Sequence, residues 1–170
     1  MKYDREFLLK VHEVINEEMA AIGLVPHYRT ANLLALQQNS YGCDFCVLRY
    51  WRKNDMVLIK MTKGSYDYSC LEVSVTNNRL FLGIWFGKNH KQDRLILSSR
   101  KNDIISKCKE YPEYIWADEK GTIAPTDEKL IQWLCEKSHE TVFRKELTGY
   151  NKDAVVSEMK HLKEYLDILL

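Results

Sequence analysis

The chain has 170 residues, 45% of them hydrophobic and 29% charged, which suits one soluble domain, residues 1–170, with a real core. Its 25 Lys and Arg nearly balance 24 Asp and Glu, so a formal charge of +1 creates no overall field to attract DNA, RNA or an anionic membrane. No uncharged run approaches the length of a membrane span, and the opening Met1-Lys2-Tyr3-Asp4-Arg5-Glu6 is charged where a secretory signal needs an apolar stretch.

A helix is predicted first. Asp4 is placed to cap it, and Phe7, Val11, Val14, Ile15, Met19 and Ile22 recur at helical steps until Gly23 offers a left-handed stop. Glu6, Lys10, Glu13 and Glu17 lie opposite, so the helix packs by one stripe. Residues 27–40 are ambiguous, because Ala31-Asn32-Leu33-Leu34-Ala35-Leu36 suits a helical turn or a buried strand equally. From Tyr41 the pattern is β, with strands predicted at Cys43–Arg52 and Met56–Met61 around a Lys53-Asn54 turn.

Ser69–Thr76 and Arg79–Gly87 alternate apolar and polar residues around Asn77-Asn78, a pair that tolerates the positive φ of a two-residue hairpin loop. Such a loop sets the register: Val75 faces Leu80, Val73 faces Leu82 and Leu71 faces Ile84, all on one side of the sheet. A basic loop at Lys88–Gln92 and a short strand at Arg94–Leu97 complete an antiparallel meander of about five strands. A helix is expected near Asn102, with Ile104, Ile105, Cys108 and Tyr111 as its stripe and Pro112 as its end. Tyr114–Ala117 and Thr122-Ile123 suggest one more hairpin with Gly121 in its loop. Pro125-Thr126-Asp127-Glu128 starts a helix carrying Leu130, Ile131 and Leu134, and a last helix runs from about Asp153 with Val155, Met159, Leu162, Tyr165, Leu166 and Leu169 on one side. The fold class is α+β: one antiparallel sheet with an N-terminal helix and C-terminal helices packed on it.

The hairpin's other face is the principal candidate for function. It carries Tyr68, Cys70, Glu72, Ser74 and Thr76 beside Arg79, Phe81, Gly83, Trp85 and Gly87, with Glu72 opposite Gly83 and flanked by the two rings. Large rings beside glycines and one carboxylate suggest a hollow for a planar or cationic group. Trp51 and Arg49 extend this surface if their strand is adjacent. The plainer alternative is that a helix covers the face and the rings are ordinary core.

Other chemistry competes less well. Cys43-Asp44-Phe45-Cys46 with Cys135 and His139 offers three thiolates and an imidazole for zinc, with Cys70 or Cys108 as substitutes, but residues i and i+3 of a strand point to opposite faces. No metal or cofactor is therefore assigned. Five cysteines, an odd number, suit a reducing compartment, and the expected location is cytoplasmic. Basic and aromatic residues interleave at Arg49-Tyr50-Trp51-Arg52-Lys53 and at Lys88-Asn89-His90-Lys91, as in single-strand nucleic-acid binders, yet the two patches fall at opposite sheet ends. Asp55 and Glu72 could hold Mg²⁺ as in a nuclease, but the helper lysine is replaced by Ser74. No P-loop, G-x-G-x-x-G, G-x-S-x-G or H-E-x-x-H occurs, and His12 and His161 lie within charged helix surfaces, where exposure is expected. The final helix's stripe could pair with a second copy in a homodimer, although packing on its own sheet is favoured.

The sequence favours a small non-catalytic binding or regulatory module. It would act on a protein partner or a small ligand through Glu72, Phe81, Trp85, Trp51 and Arg49. The alternative is a nucleic-acid-binding protein or a metal-dependent nuclease-like enzyme using Asp55 and Glu72.

Overall fold

The computed structural model describes residues 2–26, 36–38, 44–55, 69–86, 99, 101–118, 122–125, 128–136 and 141–169. Asp4 caps the first helix, its carboxylate accepting the Phe7 amide at 3.0 Å, and α1 spans Arg5–Ala21. Gly23, with φ +83°, turns the chain into β1 (Leu24–Pro26). Then follow β2 (Leu36–Gln38), β3 (Asp44–Arg52), a 3₁₀ turn at Lys53–Asp55, β4 (Cys70–Thr76), β5 (Arg79–Phe86), α2 (Lys101–Glu110), β6 (Ile115–Asp118), α3 (Lys129–Glu136), β7 (Thr141–Leu147) and α4 (Lys152–Leu169). Asn151 starts α4 by accepting the Ala154 amide at 3.0 Å.

The β4–β5 hairpin has the expected register. Val75 faces Leu80, Val73 faces Leu82, Leu71 faces Ile84 and Glu72 faces Gly83. Asn77 and Asn78 adopt φ of 50° and 59°, the doubly positive pair that a tight hairpin loop matched to strand twist requires. Asn78 also accepts the Tyr3 amide at 2.6 Å, tying the hairpin tip to the chain's first residues.

The sheet is larger than a five-strand meander. Among the described residues seven antiparallel strands join, six of them in the order β1-β3-β4-β5-β7-β6, with β2 on the same edge of β3 as β1. Strand β7 enters between β5 and β6, so the order departs from chain order there. Its sequence, Thr141-Val142-Phe143-Arg144-Lys145-Glu146-Leu147, hides a strand behind three consecutive charges. The two basic heads meet rings or carboxylates: the Arg144 guanidinium is 4.3 Å from the centre of Phe81, and Lys145 Nζ is 5.3 Å from that of Tyr114 and 2.8 Å from Glu158. The predicted strands Met56–Met61 and Arg94–Leu97, residues 27–35 and 39–40 of the ambiguous 27–40 segment, Tyr68, Gly87, the Lys88–Gln92 loop and Gly121 lie outside the described residues. The predicted 114–123 hairpin is present as a bridge between Ala117 and Ile123, where the Asp118 amide donates to Thr122 O at 3.0 Å.

One face of the sheet carries the core. Leu48 and Tyr50 of β3, Leu71, Val73 and Val75 of β4, Leu80, Leu82, Ile84 and Phe86 of β5 and Phe143 of β7 meet the helices there. Leu8, Val11, Ile15 and Met19 of α1 and Val155, Met159, Leu162, Tyr165 and Leu166 of α4 enter the same cluster, as do Leu130, Ile131 and Leu134 of α3. The α4 stripe thus packs on its own sheet. Val14, expected in the α1 stripe, is instead exposed, because Leu8 takes the inward position and shifts the buried arc. No described helix is long and apolar enough to cross a membrane.

His12 departs from its expected exposure. It is half-buried, and its Nδ1 lies 2.8 Å from the hydroxyl of fully buried Tyr50. The neutral ring can accept the hydroxyl proton at Nδ1, and protonation removes that lone pair. Burial holds the imidazole below its ordinary value of 6.5, with Glu13 opposing the shift. Because the native state binds the proton less readily, the His12 contribution is whole above pH 6.5 and is lost as pH falls through the lowered native value. Thermal melts between pH 7.5 and 5 should therefore show a fall in stability that His12→Gln flattens; equal slopes in the two proteins would remove this role.

Candidate functional site

Alternation places the residues of interest on the face opposite the helices. Register aligns Arg49 of β3, Glu72 of β4, Gly83 of β5 and Arg144 of β7 in one row across four strands. Ser74 and Phe81 form the next row with Val47 and Glu146, and Cys70 pairs with Trp85 on the other side. All five residues expected in the site, Arg49, Trp51, Glu72, Phe81 and Trp85, therefore share a face. Trp51, Cys70 and Trp85 form a small apolar cluster of their own, with Val25 packed against it. Among the described residues, no helix contributes a side chain to that cluster.

The rings are nevertheless well covered, Phe81 being 6% and Trp85 8% exposed. Part of the cover is cationic. The Arg49 guanidinium lies 4.3 Å from the centre of the Trp85 ring while its Nε donates to Glu72 Oε2 at 3.2 Å. The Arg144 guanidinium lies at 4.3 Å over Phe81, and that of Arg79 at 5.3 Å from the same ring. Arg79 is held in place by Glu146, with Nε donating at 2.8 Å and a second contact to the other carboxylate oxygen. These pairings change the chemistry expected of the face. Its ring faces already have guanidiniums on them, so a cationic guest would meet like charge.

Gly83 likewise differs from expectation. A Cβ at this position would stand 2.5 Å from Phe143 O and 2.8 Å from Arg144 Cβ. The missing side chain leaves no hollow for a guest. Its space is taken by the backbone of β7, and this close approach is what seats Arg144 beside Glu72.

Glu72 is 4% exposed and faces a guanidinium on each flank. Arg144 is pulled below the usual guanidinium range mainly by burial, with Glu72 opposing that pull and Arg79 reinforcing it. Its Nε and the hydroxyl of Ser74, a residue 1% exposed, are buried with no hydrogen-bond partner among the described residues. Arg144 was absent from the sequence reading. The signal that could have exposed it is the Val142, Arg144, Glu146 alternation against Phe143, Lys145 and Leu147, which is strand-like once basic stems count as apolar.

The remaining candidates separate. The Arg49-Tyr50-Trp51-Arg52-Lys53 run divides between the two faces. Tyr50 is in the helix-side core, and Arg52 Nη1 donates to Asp167 of α4 at 3.1 Å. Asp55 ends the 3₁₀ turn beyond β3, whereas Glu72 pairs with Arg49 inside that strand. Cys43 and His139 lie outside the described residues. Cys46 is in β3 and Cys135 in α3, and no cluster of three or more metal-ligating residues occurs among the described residues. Cys108 has another use: it accepts the Trp116 indole N–H at 3.2 Å and contacts the Tyr165 hydroxyl at 3.4 Å, fixing α2 to the core. In comparisons with known proteins, no family model matches this chain and no curated protein does.

Proposed function

We propose that this protein is a non-catalytic binding module whose contact surface is the sheet face carrying Arg49, Trp51, Glu72, Phe81 and Trp85. The observation that carries the reading is the shared use of Arg49, which bridges the Glu72 carboxylate and the Trp85 ring. An ion pair laid on an aromatic plane holds its hydrogen-bonding groups in a fixed orientation, which is what orients a small guest. Between the two occupants expected from the sequence, a small ligand is favoured. A stable protein interface needs about 800 Å² on each side, and rings exposed by 6% and 8% contribute little of it. The nuclease alternative draws no support from Glu72, whose carboxylate is engaged by the Arg49 guanidinium and belongs to no metal-ligating cluster among the described residues. A cytosolic location fits the odd number of cysteines, five.

A thermal-shift screen of small aromatic acids and nucleotides tests the reading. A ligand present at about a hundred times its Kd should raise Tm by roughly 5 °C or more, and Trp85→Leu should abolish the shift. If every stabilising compound acts equally on Trp85→Leu, the surface lies elsewhere.

A further inference from the structure

Building on that binding face, we propose that it receives the oxyanion group of a small carboxylate or phosphate, with Arg144 as its principal cation. Among the described residues the charges on the face do not balance locally: three guanidiniums, Arg49, Arg79 and Arg144, stand with two carboxylates, Glu72 and Glu146. Glu72 receives Arg49, and Glu146 receives Arg79 through both its oxygens. Arg144 has no carboxylate within ion-pair distance among the described residues, although Glu72 and Glu146 both act on it through space.

A half-buried cation in this position needs an anion more than a surface one does, because solvent screens it poorly. The Arg144 guanidinium carbon lies 4.3 Å from the centre of the Phe81 ring, and the planar N–H edge of a guanidinium is its recognition surface. That edge matches the two oxygens of a carboxylate or phosphate in a bidentate contact. Arg144 Nε and Ser74 Oγ are among the buried polar atoms without a hydrogen-bond partner among the described residues. Both border Phe81: Ser74 faces it directly across the β4–β5 pair, and Arg144 lies over its ring. An oxyanion there supplies acceptors for a guanidinium N–H and a hydroxyl that otherwise go without. Phe81 then sits beside any planar body the anion carries, and benzoate is the simplest such guest.

Titration of the protein with inorganic phosphate and with benzoate, against sodium chloride at matched ionic strength, tests the inference. At least one of the two anions should stabilise the protein beyond chloride. Arg144→Gln should weaken that binding about tenfold or more, the effect of removing one charged hydrogen-bonding partner. Lys107→Gln, which removes a cation held by Glu110 on α2, should leave affinity within about threefold, as for an exposed screened charge. Should Arg144→Gln fold poorly, the side-chain Nε–H resonance of Arg144 in the unaltered protein, assigned by its loss in Arg144→Lys, gives the same answer by moving during the titration. Binding of neither anion, or equal binding by Arg144→Gln, overturns the oxyanion assignment. Screen ligands that still depend on Trp85 would then leave the binding face standing, whereas ligands indifferent to Trp85 would remove the face itself.

Discussion

Glu72→Ala is expected to lower stability by about 3–5 kcal/mol, the cost of stripping one partner from a buried ion pair. The Glu72 and Arg49 side chains are 5% and 14% exposed, so water cannot replace the lost carboxylate easily. The damage extends past the pair, because Glu72 also favours the charged form of Arg144. Replacing both members of the pair by apolar residues, as in Arg49→Met with Glu72→Leu, should cost far less than the single change and is often near neutral. Urea unfolding of Glu72→Ala and of the double variant would measure this. A single-variant loss below about 1 kcal/mol would show instead that the pair is screened like a surface contact. The comparison also separates stability from binding: a double variant that folds well yet no longer responds to ligand assigns the pair to recognition.

Gly83→Ala is expected to cost about 3 kcal/mol, at the upper end of what an added methyl does in a packed interior. The new Cβ would meet the Phe143 carbonyl oxygen at 2.5 Å, an atom of backbone that cannot swing aside as a side-chain end can. Strand β5 is paired on both edges, with β4 and β7, so relief on one side strains the other. Hydrogen exchange should report the site of damage through faster exchange of amides between β5 and β7 than between β3 and β4. Uniform acceleration across the sheet would mean that the strain is spread rather than local. Arg144 moves with β7, so the same substitution should also weaken oxyanion binding.

Local chemistry was most readable where partners are close along the chain. Asn77-Asn78 admits few backbone geometries, and once it is a two-residue loop, every pair from Thr76 and Arg79 to Cys70 and Trp85 follows by counting. The α1 cap and the α4 stripe were legible for a similar reason, since capping and helical periodicity act within a few residues. The five residues expected to share a face do share it, because alternation in adjacent strands is enough to place them.

The identity of the charge over that face was not legible. Periodicity treats Arg and Lys as polar, and so concealed a strand in which Arg144 covers Phe81 and Lys145 covers Tyr114. His12 was obscured in the same way: its neighbours on α1 are charged, and its partner Tyr50 is 38 positions away.

What the amino-acid order determined by itself is the hairpin, its register, the helices at either end of the chain and the α+β class. Each rests on interactions between near neighbours or on a repeat visible in one segment. Only the tertiary structure decided that β7 enters beside β5, bringing Glu146 to Arg79 across 67 residues and Arg144 to Phe81. That choice depends on how surfaces from distant segments fit together, and no local pattern records which edge a returning strand will find.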